Sequence, residues 1–172
     1  MRLVAASIFS NGGHEHVQQL NFVSYFSRKS VSELLRVLVQ AVADSMEDHR
    51  KIFEHPPWQL VCHRIGDNVT VLVTDNEYPT SVSFELLQRL HNAPECVHRM
   101  LDECQEPYAI SPLFRVKSQL NETMVIMHEN VEQLIQRGHD IDELVARSEN
   151  LSVQSQMFYK VAKKHNRCCE LQ

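Results

Sequence analysis

From Leu113 to His165 the chain holds a heptad pattern of apolar and small residues, and few folds accept a pattern that long. Counted outward from Arg137 in alternating steps of three and four, the positions run back through Leu134, Asn130, Met127, Thr123, Leu120, Val116 and Leu113. They run forward through Ile141, Leu144, Ser148, Leu151, Ser155, Phe158, Ala162 and His165. A period of 3.5 residues kept over several heptads predicts a helix that lays one narrow seam against partner helices. At 1.5 Å per residue that helix is roughly 80 Å long. The rest of the chain is too small to bury such a seam along its whole length, so the expected partners are other proteins.

Arg137 occupies a seam position although its guanidinium has five donors, no acceptor and a permanent charge. Burying it costs several kcal/mol unless facing helices supply oxygen acceptors. A polar seam residue is then a device for register and partner choice. The plainer reading is an arginine that snorkels out of an ordinary two-stranded coil, and spacing alone leaves both open.

The residues around this arginine carry a resemblance. Met127 and Asn130 before it, the run Gln136-Arg137-Gly138, and Ile141, Leu144, Leu151, Phe158 and Ala162 after it resemble the SNARE motif of the synaptobrevin-like R-SNAREs. The resemblance implies a parallel four-helix bundle with three Q-SNARE helices, Arg137 forming the central ionic layer against their glutamines, and the remaining heptad positions forming the other layers. It also implies that bundle assembly between two membranes draws them together for fusion. The resemblance implies a non-enzymatic protein, and no constellation for acyl transfer or other catalysis stands out in the sequence.

Composition bounds the rest. With 172 residues, 43% hydrophobic and 23% charged, the chain has room for one ordinary domain beside an extended segment. A net charge of -5 speaks against nucleic acid as the main partner. No apolar run approaches the eighteen or so residues that cross a bilayer, and the short run from Met1 to Phe9 reads as a buried first strand rather than a signal peptide. The five cysteines, Cys62, Cys96, Cys104, Cys168 and Cys169, are odd in number and unevenly spaced, which fits reduced thiols of the cytosol. His14 and His16 flank Glu15 near Gly12-Gly13, and a solvated loop is the expected reading there, with no metal or cofactor. Only four glycines and no glycine-lysine phosphate loop argue against a small prenylated GTPase.

In order along the chain, Arg2 to Phe9 and Leu20 to Phe26 are expected to pair as strands across the turn at Asn11-Gly12-Gly13. Ser30 and Glu33 form a capping box ahead of an amphipathic helix that ends near Glu47, and the charged stretch to Glu54 with Pro56-Pro57 breaks it. Trp58 to Ile65 and Val69 to Thr74 form a hairpin through Gly66-Asp67-Asn68 near the sheet centre. Val82 to His91 is helical, and a short helix follows Pro94 through Val97, Met100 and Leu101. This order, together with Met1-Arg2-Leu3, Phe26 to Val31 and Thr74 to Pro79, resembles the longin-type R-SNAREs that are prenylated and lack a transmembrane anchor. The fold class implied is α+β: a five-stranded, mostly antiparallel longin sheet sandwiched by helices over residues 1–104. A linker at 105–112, a coiled-coil helix at 113–167 and a lipidation tail at 168–172 follow.

That tail reads Cys168-Cys169-Glu170-Leu171-Gln172. Cys169 has the spacing for prenylation by a prenyltransferase, and a terminal Gln favours farnesyl; Cys168 beside it is the natural palmitoyl site. Two lipids anchor stably where one binds reversibly, and Lys160, Lys163, Lys164 and Arg167 add attraction to an anionic surface. The expected location is the cytoplasm and the cytoplasmic face of Golgi, endosomal or vesicle membranes. An alternative from another class is a prenylated longin adaptor whose coil homodimerises.

Overall fold

The computed structural model describes residues 1–10, 12–47, 50–105, 127–131, 145 and 151–169. Five strands alternate with helices in the order β1 (Leu3–Ser10), β2 (Gly13–Gln18), α1 (Tyr25–Asp44), β3 (Arg50–His55), β4 (Trp58–Ile65), β5 (Asn68–Asp75), α2 (Thr80–Asn92) and α3 (Val97–Glu103). Two further elements come from the heptad segment: β6 (Met127–Asn130) and α4 (Val153–Cys169). The sheet order is β2-β1-β5-β4-β3-β6. The pairings among β1 to β5 are antiparallel, and β6 adds to β3 in parallel, with Lys51 opposite Met127 and Glu54 opposite Asn130.

Both faces of the sheet are covered, which is why its central strands read as continuous apolar runs. On β5, Leu72 points to one core while Val71 and Val73 point to the other, as a period of two requires. The Leu72 side packs against Leu86, Leu87 and Leu90 of α2 and Val97 and Leu101 of α3. Across the sheet, Val71, Val73, Phe53 and Leu60 pack against Leu35, Leu38, Val39 and Val42 of α1. This is the α+β, longin-type architecture with helices on both faces. Residues Leu3 to Ile8 of β1 are all buried, in keeping with a first strand inside the fold.

The end of α3 is tied down by polar contacts. The Tyr78 hydroxyl donates to the Cys104 carbonyl at 2.8 Å, and the Gln105 amide donates to the carbonyls of Leu3 and Leu101, each at 2.8 Å. Burial raises the Tyr78 pKa, with the neighbouring Cys104 and Asp75 adding to the effect, so this hydroxyl stays a donor across the accessible pH range.

Four local expectations change. The partner of β1 is Gly13–Gln18, not Leu20 to Phe26, and Tyr25 and Phe26 already belong to α1. His14 and His16 therefore lie on a strand: the His14 ring stacks on Phe9 with centroids 4.1 Å apart, and His16 Nδ1 meets the Ser7 hydroxyl at 2.5 Å. Ser30 is buried inside α1 rather than capping it, because the helix starts after Ser24. The charged stretch ahead of Pro56-Pro57 contains β3, whose Ile52 and Phe53 each enter one of the two cores. The β4–β5 hairpin turns at Gly66, whose φ of +60° is the left-handed conformation that glycine adopts without strain.

Candidate functional site

The heptad segment returns to the domain at two places. At the first, β6 extends the sheet beyond β3, and the next residue, Val131, is wholly buried in the α1-side core. Here the Lys51 ammonium pairs with the Glu129 carboxylate, both side chains under a tenth exposed. The same ammonium lies 5.1 Å from the Phe53 ring centroid. A second, exposed pair joins His128 Nδ1 to Glu54 at 3.0 Å. The two pairs differ in weight: an exposed pair contributes about 0–1 kcal/mol, whereas breaking a buried one leaves an uncompensated charge and costs about 3–5 kcal/mol. The Lys51–Glu129 pair therefore matches β6 to β3 far more strictly than the outer pair does.

At the second place, α4 begins against the side of α1. The Ser152 hydroxyl accepts from the Ser155 amide at 3.3 Å, the geometry of an N-cap. The Glu33 carboxylate, reaching from α1, accepts from the Ser152 amide at 2.8 Å and from the Ser155 hydroxyl at 2.7 Å. A carboxylate at a helix N-terminus is also favoured by the helix dipole. Burial acts to raise the Glu33 pKa, but the hydrogen bonds from Ser152 and Ser155, helped by Lys29 at 3.9 Å, outweigh it and hold the pKa below its usual value. Leu151, Val145 and Ser155 are buried.

Of the predicted seam positions, Met127 and Asn130 lie in β6, where a continuous helix was expected, and Leu151 and Ser155 are buried in the folded-back arrangement. Phe158 is partly exposed on α4, and Ala162 and His165 fall within the same helix. Arg137 lies outside the described residues, as do Leu113, Val116, Leu120, Thr123, Leu134, Ile141, Leu144 and Ser148. Cys168 and Cys169 form the last two positions of α4. Lys51 and Glu129 were not singled out by sequence reasoning, which read Glu33 only as the partner of Ser30 in a capping box. Glu33 fits a capping box equally well, and the buried Lys51 gains its meaning only from a residue 78 positions away in the sequence.

Among the described residues, no helix is long and apolar enough to cross a membrane, and no group of three or more His, Cys, Asp or Glu is placed to hold a metal ion. Cys62 and Cys104 are buried and free, and burial raises the pKa of both thiols, so neither is set up as a nucleophile. The contacts described above are noncovalent, and their common element is the heptad segment.

Comparison with known proteins agrees with this emphasis. A family profile described as Synaptobrevin matches residues 112–172. The chain is 30% identical to the Synaptobrevin homolog ykt6 of Schizosaccharomyces pombe over 87% of this chain and 86% of that protein. It is 31% identical to the Putative synaptobrevin homolog YKT6 of Dictyostelium discoideum over 89% and 88% respectively. With the Synaptobrevin homolog YKT6 of Saccharomyces cerevisiae, the identity is 28% over 98% of both chains. The chain belongs to the synaptobrevin family as a YKT6-type R-SNARE, a non-enzymatic protein of vesicle trafficking.

Proposed function

We propose that the chain drives fusion of intracellular vesicles by passing its heptad segment from its own folded domain to a parallel four-helix bundle with three Q-SNARE helices. The observation that carries the reading is that the family match over residues 112–172 contains the whole seam centred on Arg137, and that Leu151 and Ser155 of that seam are buried when the chain is alone. A residue buried against the domain is not available to a partner helix. Docking and assembly are therefore alternatives for the same face, and partner binding has to displace the domain contacts.

In the bundle, the Arg137 guanidinium faces glutamine oxygens from the three partners. Its role there is register and partner choice rather than stability, since desolvating a charge opposes assembly. Cys169 carries a farnesyl group and Cys168 a palmitoyl group, which together hold the protein on the cytoplasmic face of Golgi, endosomal or vesicle membranes. A single lipid gives reversible binding, so acylation at Cys168 converts visits into residence.

The test is assembly with purified Q-SNARE helices, comparing the wild-type chain with Arg137→Leu. The apolar variant is expected to form a complex at least as stable as wild type but to accept partner sets and registers that wild type rejects. If wild type forms no complex with any set of three glutamine-bearing helices, or pairs only with itself, the bundle reading fails.

A further inference from the structure

A second surface of α4 is used neither by the domain nor by the seam. Val153, Met157 and Val161 recur every fourth residue, so they lie about 40° apart on one side of the helix. All three are more than half exposed. The seam positions Leu151, Ser155 and Phe158 fall on the other side, so the exposed stripe faces outward both in the folded-back chain and in any bundle built on that seam. Solvated outward positions of a coiled helix are ordinarily polar. Three branched or flexible apolar residues in register there call for an occupant.

The neighbourhood identifies the occupant's chemistry. Between Leu151 and Cys169 there are four cations, Lys160, Lys163, Lys164 and Arg167, and no acidic residue, in a chain whose net charge is -5. Lys160 is exposed, and helical phasing brings positions 160, 164 and 168 back to the side of Val153, Met157 and Val161. Beside the start of α4, Gln154 shares one concavity with Tyr25, Phe26, Arg28 and Lys29 at the start of α1. Tyr25 and Phe26 are more than 80% exposed, with their rings edge to face at 5.9 Å. Aliphatic side chains flanked by cations on a helix segment without acids, with exposed aromatic rings beside its start, are the composition of a surface that lies against an anionic bilayer.

We infer that the outer face of α4, with Tyr25 and Phe26, is a binding surface for anionic membrane lipid, and that it acts while the chain is still folded back on itself. The surface needs no covalent lipid and no SNARE partner. The inference goes beyond the assembly reading and stands apart from it.

The test uses the full chain carrying Cys168→Ser and Cys169→Ser, so that no lipid is attached, in co-sedimentation with vesicles of phosphatidylcholine alone or with phosphatidylserine. Binding is expected to the phosphatidylserine vesicles, to fall with salt, and to be weak on phosphatidylcholine. Val153→Ser, Met157→Ser and Val161→Ser together are expected to weaken it on the order of tenfold, as are Lys160→Gln with Lys164→Gln, because both buried apolar area and surface charge contribute. Tyr25→Ser with Phe26→Ser lowers it further. These side chains are exposed, so amide protection at Ser155 reports whether α4 stays docked in each variant. Equal binding to both vesicle types, or binding untouched by the triple substitution, overturns the inference. So does a concentration-dependent dimer that the triple substitution abolishes, which makes the stripe a self-association face. Assembly with Q-SNARE helices in solution is expected to survive the triple substitution; a chain that binds vesicles but never assembles leaves this surface standing and removes the bundle reading.

Discussion

The Glu33 carboxylate and the Ser155 hydroxyl meet at 2.7 Å although 122 positions separate them in the sequence. Glu33 is fixed on a helix packed into the domain core, and Ser155 belongs to the segment that the Synaptobrevin profile matches. One hydrogen-bonded carboxylate thus joins the core of the domain to the segment proposed to leave it on assembly. Glu33→Ala is expected to weaken docking of α4 by about 1.5–3 kcal/mol, the range for hydrogen bonds to a charged group. Amide exchange at Ser155 and Gln156 is the measurement. Those amides should lose protection while the central strands β1, β4 and β5 keep theirs.

The β6 latch is expected to respond more sharply. Glu129→Ala leaves the Lys51 ammonium buried without its partner, and the docked strand should lose about 3–5 kcal/mol. Glu54→Ala, which removes only the exposed pair with His128, should change docking by less than about 1 kcal/mol. A double substitution of Lys51 and Glu129 by methionine, which fills the space without charge, should recover most of the loss. Exchange at Lys51 to Glu54, the residues that face β6, reads all three.

Acid should undock α4 before it unfolds the domain. The folded-state pKa of Glu33 lies below 4.5, so its contribution is fully present above that value and is lost as pH falls through the lower, folded value. His16 acts in a different window. Burial lowers its pKa below 6.5, with Arg36 and His14 adding to that and the Gln18 hydrogen bond opposing it. The unfolded chain therefore takes up its proton first as pH falls through 6.5, and domain stability declines from there until the folded value is reached. Glu33→Gln should remove the acid dependence of α4 protection and leave the decline below pH 6.5. His16→Gln should shrink that decline, with His14, whose pKa burial also lowers, keeping part of it, and should leave the acid dependence of α4 protection.

The two terminal cysteines are expected to act unequally. On the proposed lipidation, Cys169→Ser removes the prenyl group, and the protein should shift largely to the cytosol, because the outer face of α4 alone holds it only weakly and too briefly for Cys168 to be acylated. Cys168→Ser retains one lipid, and its binding should be rapidly reversible and salt-sensitive. Fractionation of the two variants decides the matter: a Cys168→Ser protein held as firmly as wild type contradicts the division of roles.

Legibility in the sequence follows how local each signal is. The β4–β5 hairpin, α2 and α3 were readable because β-branched runs, a turn glycine and a helix-initiating proline each act within a few residues. The strand β2 was missed because it is an edge strand, largely exposed, with Val17 as its one strongly apolar residue. Missing β3 has another cause: Arg50, Lys51, Glu54 and His55 disguise it, and Lys51 is buried only because Glu129 comes to meet it. The heptad pattern speaks of the assembled helix, so it hides the strand that Met127 to Asn130 form in the chain alone. Seam periodicity reads Ser155 as a partner-facing position. Its contact with Glu33 had no local signature.

One segment is proposed to alternate between the domain and a bundle centred on Arg137, and amide hydrogen exchange of the full chain, alone and with three Q-SNARE helices, reads both states. Alone, the chain is expected to show protection at residues 127–131 and 153–156 and at the facing residues of β3. With partners, protection at β3 should fall while continuous helical protection appears on both sides of Arg137. A complex that forms with the β3–β6 pairing still protected, or partners that bind without ordering the residues around Arg137, would contradict the account.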